Sequence, residues 1–235
     1  MASPGAASPE ESRDLARREA TGREVTSQGA TGQGAIGQQA EEAGRGDEMR
    51  IVGGEFRGRP LATPRSQSIR PTTDRTREAV FNVLAHRFAD RLEGARVLDL
   101  FAGTGALGIE ALSRGAAHCL FIEESAEGRG LIRTNVEALG LQGRTKIFRR
   151  DATGLGDVGT IAPFGLVFAD PPYGKGLGEM ALRSALKGGW LLPDALCVVE
   201  EASSAHFAPG EGLSVVDERG YGDTVIRFIE ATGAR

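Results

Sequence analysis

The sequence is poor in cysteine and histidine. Its 235 residues include two cysteines and three histidines. Cys119 and Cys197 both lie in apolar segments, far from any residue that would complete a metal site. We therefore predict two buried free thiols and no metal. Long apolar runs are also missing, since none approaches the roughly 20 residues that cross a bilayer, which excludes an integral membrane protein.

A targeting segment is missing as well. The N-terminus, "MASPGAASPEESRDLARREA", carries acidic residues early and has no apolar core of the kind found in signal peptides. We expect a cytoplasmic protein. Residues 1–48 contain almost no large apolar side chain, so burial cannot offset the entropy of ordering them, and we predict a disordered tail.

Acidic charge is concentrated in that tail. Its nine acidic side chains and five arginines account for the whole net charge of −4, so the rest of the chain is neutral. Directly after it, residues 50–77 contain seven arginines and only two acidic residues, Glu55 and Asp74. The cluster favours a phosphate-binding surface, with an ordinary solvated surface as the alternative. The arginines are Arg50, Arg57, Arg59, Arg65, Arg70, Arg75 and Arg77.

The remaining sequence alternates between strand and helix patterns. "RIVGG" and "GRPLATP" are typical of short extended pieces joined by glycine turns, and "RTREAVFNVLAHRFA" places its apolar residues on one helical face. Thr72, Thr73 or Asp74 is the candidate N-cap of that helix. From residue 95 onward, five apolar strands alternate with helices, which predicts a parallel sheet covered on both faces.

The end of the chain breaks this alternation. Two β-branched runs, Leu213–Asp217 and Thr224–Ile229, are separated by "ERGYGD", which is too short for a crossover helix. We predict an antiparallel hairpin at the end of the parallel sheet. Helical crossovers normally continue to the end of a nicotinamide-binding domain, so the hairpin favours another use of the fold.

A glycine motif follows the first strand. "VLDLFAGTGALGIEAL" places Gly103, Gly105 and Gly108 in a G-x-G-x-x-G pattern between strand and helix, which indicates a turn that passes close to an adenosine cofactor. Asp99 would repel a pyrophosphate and would suit a cationic group, such as the amino group of S-adenosylmethionine. Glu123, with Glu124 as alternative, is expected to bind ribose hydroxyls, and Asp151 the adenine amine.

These residues resemble those of class I S-adenosylmethionine-dependent methyltransferases, whose sheet also ends in an antiparallel strand. "DPPY", Asp170 to Tyr173, is similar to the (Asn/Asp)-Pro-Pro-(Tyr/Phe/Trp) motif of enzymes that methylate amines, and it too follows the fourth strand. The resemblance implies an α/β, Rossmann-like fold with a seven-stranded, mostly parallel sheet. It also implies S-adenosyl-L-methionine as methyl donor.

Four segments narrow the resemblance. "RIVGGEFRGRPLATP", "RPTTDRTREAVFNVL", "LDLFAGTGALGIEALSRGA" and "DPPY" together resemble the bacterial RsmD family, from about Arg50 to the C-terminus. The family implies methylation of a guanine in 16S ribosomal RNA, of the guanine(966)-N(2) type. We also expect a monomer that needs no metal, and the modest basic surface on a neutral domain favours the 30S subunit or its precursor as the substrate. Other amine methyltransferases, acting on DNA adenine or protein glutamine, stay open, as does a non-catalytic RNA-binding module.

We expect the chain to have three parts, which are a disordered tail (1–48), an RNA- and cofactor-contacting extension (49–94) and a methyltransferase core (95–235). The resemblance implies three groups of site residues. The expected catalytic residues are Asp170, Pro171, Pro172 and Tyr173. The expected cofactor-binding residues are Asp99, Phe101, Ala102, Gly103, Thr104, Gly105, Gly108, Glu123 and Asp151. The expected RNA-binding residues are Arg57, Arg59, Arg65, Arg70, Arg75 and Lys175.

Overall fold

The structure, a computed structural model, describes residues 49–64 and 74–232. The tail predicted to be disordered lies outside these residues. So do Arg65, Arg70 and two of the three N-cap candidates, Thr72 and Thr73. The third candidate, Asp74, is the first residue of helix α1.

Helices and strands alternate through the described residues. The helices are α1 (Asp74–Arg87), α2 (Ala106–Ser113), α3 (Ala126–Ala138) and α4 (Leu177–Lys187). The strands are β1 (Arg96–Leu100), β2 (His118–Ile122), β3 (Thr145–Phe148), β4 (Phe164–Ala169), β5 (Leu191–Ala202), β6 (Leu213–Tyr221) and β7 (Thr224–Ala231). Short 3₁₀ turns occupy Ala89–Arg91, Gln142–Arg144 and Ala152–Gly154.

Within the described residues the strands form one seven-stranded sheet in the order β3-β2-β1-β4-β5-β7-β6. Strands β1 to β5 run parallel to one another, whereas β7 pairs antiparallel with both β5 and β6. The predicted fold class, a mostly parallel sheet with a C-terminal antiparallel hairpin, is confirmed. The order reverses between β1 and β4, and ligands of such sheets bind at the carboxyl ends of the strands at this point.

Both faces of the sheet are buried. Alternate residues of each strand point to opposite faces, so Val97 packs on one side with α1, α2 and α3, and Leu98 packs on the other with α4. Cys119 and Cys197 are buried free thiols in these cores, as predicted. Burial raises the pKa of the Cys197 thiol to about 12, so it stays protonated and unreactive.

The segment before α1 packs on the first of these faces. Arg50 and Pro60 form an antiparallel bridge, and the Ile51 amide donates to the Arg59 carbonyl at 3.0 Å. This bears out the two extended pieces predicted for the segment. Its apolar side chains Met49, Ile51 and Leu61 are buried in the same core as α1.

The C-terminal hairpin is longer than the sequence indicated. The predicted turn "ERGYGD" is mostly strand, because β6 continues to Tyr221 and only Gly222 and Asp223 separate it from β7. Gly222 has a φ of 62°, as two-residue hairpin turns require. The polar residues look like a loop in sequence, but Glu218 lies opposite Arg227 and accepts its Nε–H at 2.8 Å, a cross-strand charge pair.

Candidate active site

The reversal of strand order brings two distant motifs together. Leu100 at the end of β1 lies beside Ala169 at the end of β4. The chain therefore enters the glycine loop and the DPPY segment from adjacent strands, although about 70 residues separate them in sequence. A cavity of about 870 Å³ opens between the two segments, within the usual size range of small-ligand sites.

Most of the predicted cofactor and catalytic residues line this cavity. They are Asp99, Phe101, Ala102, Gly103, Thr104, Glu123, Asp151, Asp170, Pro171, Pro172 and Tyr173. Gly105 and Gly108 are not among the lining residues. Gly105 is the left-handed N-cap of α2, with a φ of 80°. A Cβ on Gly108 would lie 2.5 Å from the Cys119 sulfur, so this glycine allows α2 to approach β2.

The glycine loop has an unusual backbone. Phe101 is the one non-glycine residue with a positive φ, 59°, in the described part of the chain, and Gly103 has a φ of 55°. Such conformations cost free energy and occur often at functional sites. Together they turn the chain sharply after β1 and set the backbone of Ala102 and Gly103 against the cavity.

Asp99 lies beneath this loop and is almost completely buried. Its Oδ2 accepts the Gly108 amide at 2.9 Å, which ties β1 to the first turn of α2. Burial raises the pKa of Asp99 well above its usual range, opposed by the Gly108 hydrogen bond and reinforced by the charges of Asp170 and Glu123. A cation placed against Asp99 would therefore stabilise its charged form.

The acidic residues after β2 and β3 occupy successive positions along the same edge. Glu123 accepts the Gly103 amide through Oε2 at 2.8 Å and the Ser125 amide through Oε1 at 2.7 Å, so its carboxylate is fixed beside the glycine loop. Asp151 caps a 3₁₀ turn by accepting the Thr153 amide at 2.8 Å. Glu124, the alternative to Glu123, also lines the cavity but is exposed.

Opposite the loop, the DPPY segment forms the other wall. Pro171 is buried, Asp170 and Tyr173 are half-buried, and Pro172 is exposed. The Tyr173 hydroxyl donates to Oε1 of Glu200 at the end of β5. Burial, followed by that hydrogen bond, raises the pKa of Tyr173, so it remains a neutral phenol. Its ring is held in place and its hydroxyl is not available as a base.

The sequence did not single out several residues that line the cavity, among them Thr76, Arg150, Glu200 and Thr224. The sequence contained one indication of Glu200, since "VVEE" places it at the end of a predicted strand. Thr224 had none, because it begins an antiparallel strand and only the pairing of β7 with β5 brings it to this edge.

Four of the predicted RNA-binding residues belong to the described part of the chain, and these four lie outside the cavity lining. Arg57, Arg75 and Lys175 are exposed. Arg59 is exposed and donates to the Ala138 carbonyl at 3.0 Å, so part of its guanidinium is engaged. Arg77 of the same cluster is completely buried and cannot contact RNA.

Two further searches were limited to the described residues. Residues 49–64 and 74–232 contain no group of three or more His, Cys, Asp or Glu side chains arranged to hold a metal ion. Among those same residues, no helix has the length and apolar character needed to span a bilayer.

The fold and the cavity define the class of the protein. A sheet in this order, with an antiparallel β7, a glycine loop after β1 and DPPY after β4, is the architecture of a class I methyltransferase. The Escherichia coli methyltransferase-like protein yhhF has a similar structure, with a TM-score of 0.67 and 34% identity, covering 80% of this chain and 99% of that one.

Sequence comparisons identify the family. A model described as "Conserved hypothetical protein 95" matches residues 49–230. Ribosomal RNA small subunit methyltransferase D of Escherichia coli K12 is 44% identical over 155 residues, which cover 65% of this chain and 74% of the relative. The Haemophilus influenzae protein of the same name is 32% identical over 185 residues, 78% of this chain and 94% of the relative. The chain belongs to this RsmD family.

Proposed function

We propose that the protein transfers a methyl group from S-adenosyl-L-methionine to N2 of a guanine in 16S rRNA of the small ribosomal subunit. We infer that this guanine is of the 966 type, as the resemblance to the RsmD family implies. The observation that carries the proposal is the position of Asp170 and Pro171, which face the glycine loop across one cavity. An amine bound at Asp170 and Pro171 would therefore lie next to a cofactor bound at the glycine loop.

The cavity fits S-adenosylmethionine better than a dinucleotide. Asp99, Glu123, Asp151 and Asp170 all line it, and four carboxylates would repel a pyrophosphate. They suit a ligand with a sulfonium, an ammonium group, ribose hydroxyls and an adenine amine. We assign Asp99 to the ammonium group, Glu123 to the ribose and Asp151 to the adenine. The loop residues Phe101 to Gly105 surround the methionine part.

Asp170 and the Pro171 carbonyl activate the amine. The lone pair of a guanine N2 is delocalised into the ring, which makes the nitrogen a poor nucleophile. When both groups accept an amine hydrogen, the nitrogen becomes pyramidal and its lone pair turns toward the methyl group of S-adenosylmethionine. Pro171 and Pro172 fix the backbone that carries the acceptor carbonyl. Holding the two reactants in line contributes about 7–11 kcal/mol.

When bound, S-adenosylmethionine would supply an electrophilic methyl group on its sulfonium, and the amine held by Asp170 and the Pro171 carbonyl would lose one proton to solvent once it is methylated. The alkylated nitrogen is acidic, so Asp170 needs only to accept hydrogen bonds. Tyr173 stacks against the extruded base, which contributes about 1–3 kcal/mol. Its hydrogen bond to Glu200 holds the ring at the cavity wall.

Basic residues of the N-terminal cluster, together with Lys175, supply the contacts to RNA. We assign Arg57, Arg59 and Arg65 to phosphates, and Arg70, Arg75 and Lys175 to further RNA contacts. Such a modest basic surface on a neutral domain suits a substrate presented by an assembled 30S particle, or its precursor, to a monomeric enzyme. Equal rates on protein-free 16S rRNA and on subunits would contradict the assembled-substrate assignment.

The main test is to map the methylated atom. We expect 30S subunits from a strain lacking the methyltransferase to accept label from S-adenosylmethionine at N2 of one guanine, read by nuclease digestion and mass spectrometry. Subunits that already carry the methyl group are the control and should accept none. Label on adenine or on protein would favour the other amine substrates, and cofactor binding without transfer would favour a non-catalytic RNA-binding module.

A pH series tests the assignment of Asp99. Its pKa is raised in the free protein, and an adjacent ammonium group would lower it. Cofactor binding then releases a proton, so affinity should increase as the pH rises toward the raised pKa and level off above it. We expect calorimetry to show this dependence, and Asp99→Asn to lose it and to bind about tenfold more weakly. Identical pH profiles for the two proteins would contradict the assignment.

A further inference from the structure

Glu200 is a buried acid at the substrate end of the cavity. It lies near the end of β5, is 8% exposed, and lines the cavity together with Asp170, Tyr173 and Thr224. Its Oε1 accepts the Tyr173 hydroxyl. The charges of both Glu200 and Asp170 act on Tyr173, and all three residues line the same cavity.

Glu201, its neighbour in sequence, has a different role. The Oε1 of Glu201 accepts the amides of Gly174 and Ala202, each at 2.8 Å, and the residue does not line the cavity. Glu201 thus fixes the loop after Tyr173, whereas Glu200 faces the place where a base would stack. A carboxylate accepts several hydrogen bonds at once, so holding Tyr173 is compatible with a second role.

Guanine, the base proposed for this site, has a hydrogen-bond donor, N1–H, beside its reactive amine. In guanine, N1 carries a hydrogen next to N2, whereas in adenine N1 is an unprotonated acceptor. Flipped bases are read through hydrogen bonds to this edge. A carboxylate beside Asp170 would accept N1–H from guanine and would repel the N1 lone pair of adenine.

We propose that Glu200 is the residue that selects guanine, by accepting the N1–H of the flipped base while Asp170 and the Pro171 carbonyl hold N2. This proposal rests on the proposed function and adds the means of base selection. The discrimination is large because Glu200 is buried. A buried carboxylate oxygen that faces the N1 lone pair of adenine gains no hydrogen bond from the base and is repelled by it.

The test uses 2-aminopurine, which keeps the N2 amine but has an unprotonated N1. We would ligate 16S rRNA with guanine or 2-aminopurine at the mapped nucleotide, reconstitute 30S subunits and measure kcat/KM for both. We expect the wild-type protein to prefer guanine by about tenfold or more. Absence of guanine methylation by the wild-type protein would reject the proposed function itself. Equal kcat/KM for the two bases would reject only the role of Glu200.

Glu200→Gln replaces the hydrogen-bond acceptor that faces N1 of the base by a donor. The Tyr173 hydroxyl donates to the Oε1 position, so the glutamine oxygen lies there and its NH₂ turns to the cavity. That NH₂ donates to N1 of 2-aminopurine and opposes N1–H of guanine. We expect the guanine preference to fall about tenfold or more, with cofactor affinity unchanged. An unchanged preference would overturn the proposal.

Two further variants separate base selection from the anchoring of Tyr173. Tyr173→Phe removes the hydrogen bond to Glu200 and leaves the carboxylate, so we expect slower turnover with the guanine preference of the wild-type protein. If Tyr173→Phe lowers the preference as much as Glu200→Gln does, Glu200 only positions Tyr173 and the proposal is wrong. Glu200→Asp withdraws the carboxylate by one methylene and should also lower the preference, which provides a second test if the glutamine variant does not fold.

Discussion

Replacing Asp170 by alanine should reduce turnover by about 10³-fold or more while leaving cofactor affinity nearly unchanged. In the proposed mechanism Asp170 holds the amine and not the cofactor, so its loss would remove an acceptor that acts during methyl transfer. The measurements are single-turnover rates on 30S subunits and calorimetric titration with S-adenosylmethionine. Turnover close to that of the wild-type protein would refute the assigned role.

Asp170→Asn is the matched variant for the mechanism. An asparagine oxygen still accepts an amine hydrogen, but an amide cannot take up the released proton. If Asp170 acts only as an acceptor, the asparagine variant should retain turnover within about tenfold of the wild-type rate. A loss as large as that of the alanine variant would show that the carboxylate is needed as a base.

The second large effect concerns stability. Glu110 of α2 is completely buried and links three parts of the chain. Its Oε1 accepts Arg114 Nε at 2.7 Å, its Oε2 accepts the Val52 amide at 2.9 Å, and the buried Arg77 lies 3.8 Å away. Glu110→Ala should lower the free energy of unfolding by about 3–5 kcal/mol, because it removes one of the two carboxylates beside the buried Arg77 and the acceptor of the Val52 amide. Denaturant titration measures this change.

An exposed ion pair in the same protein supplies the control. Arg91 and Asp194 are joined at 2.6 Å, but the Asp194 side chain is 69% exposed. Asp194→Ala should change the free energy of unfolding by at most about 1 kcal/mol. Equal losses in the two variants would contradict the importance of burial. Hydrogen exchange adds a local measurement, since the Val52 amide should exchange faster in Glu110→Ala.

Buried polar side chains hold the N-terminal extension against the rest of the protein. Asn135 of α3 accepts the Ala62 amide at 2.7 Å and donates to the Thr104 carbonyl at 3.0 Å, so one side chain joins the extension to the glycine loop. Arg77 donates to the Arg50 carbonyl and to Asp74. The segment that carries Arg57 and Arg59 is therefore fixed relative to the cofactor site by polar contacts as well as by its apolar core.

Local patterns in the sequence determined the fold and about half of the cavity lining. Strand and helix periodicity, glycine spacing and the prolines after β4 act over a few residues, so they predicted the parallel sheet, the loop at Gly103 and the acceptor pair at Asp170. Even the antiparallel end of the sheet followed from a connection too short for a helix. These features depend on the covalent chemistry of neighbouring residues, which the sequence contains directly.

Tertiary structure alone decided which polar residues are buried and what they face. Arg77 belongs to a basic cluster in the sequence, yet it lies in the core because Glu110 and Asp74 lie next to it in space. Glu218 looks like part of a turn until Arg227 is placed opposite it. Glu200 reaches the cavity through the parallel pairing of β5 with β4, and Thr224 through the antiparallel pairing of β7 with β5. Such roles depend on contacts between residues distant in sequence, because burial and charge pairing are properties of the assembled fold.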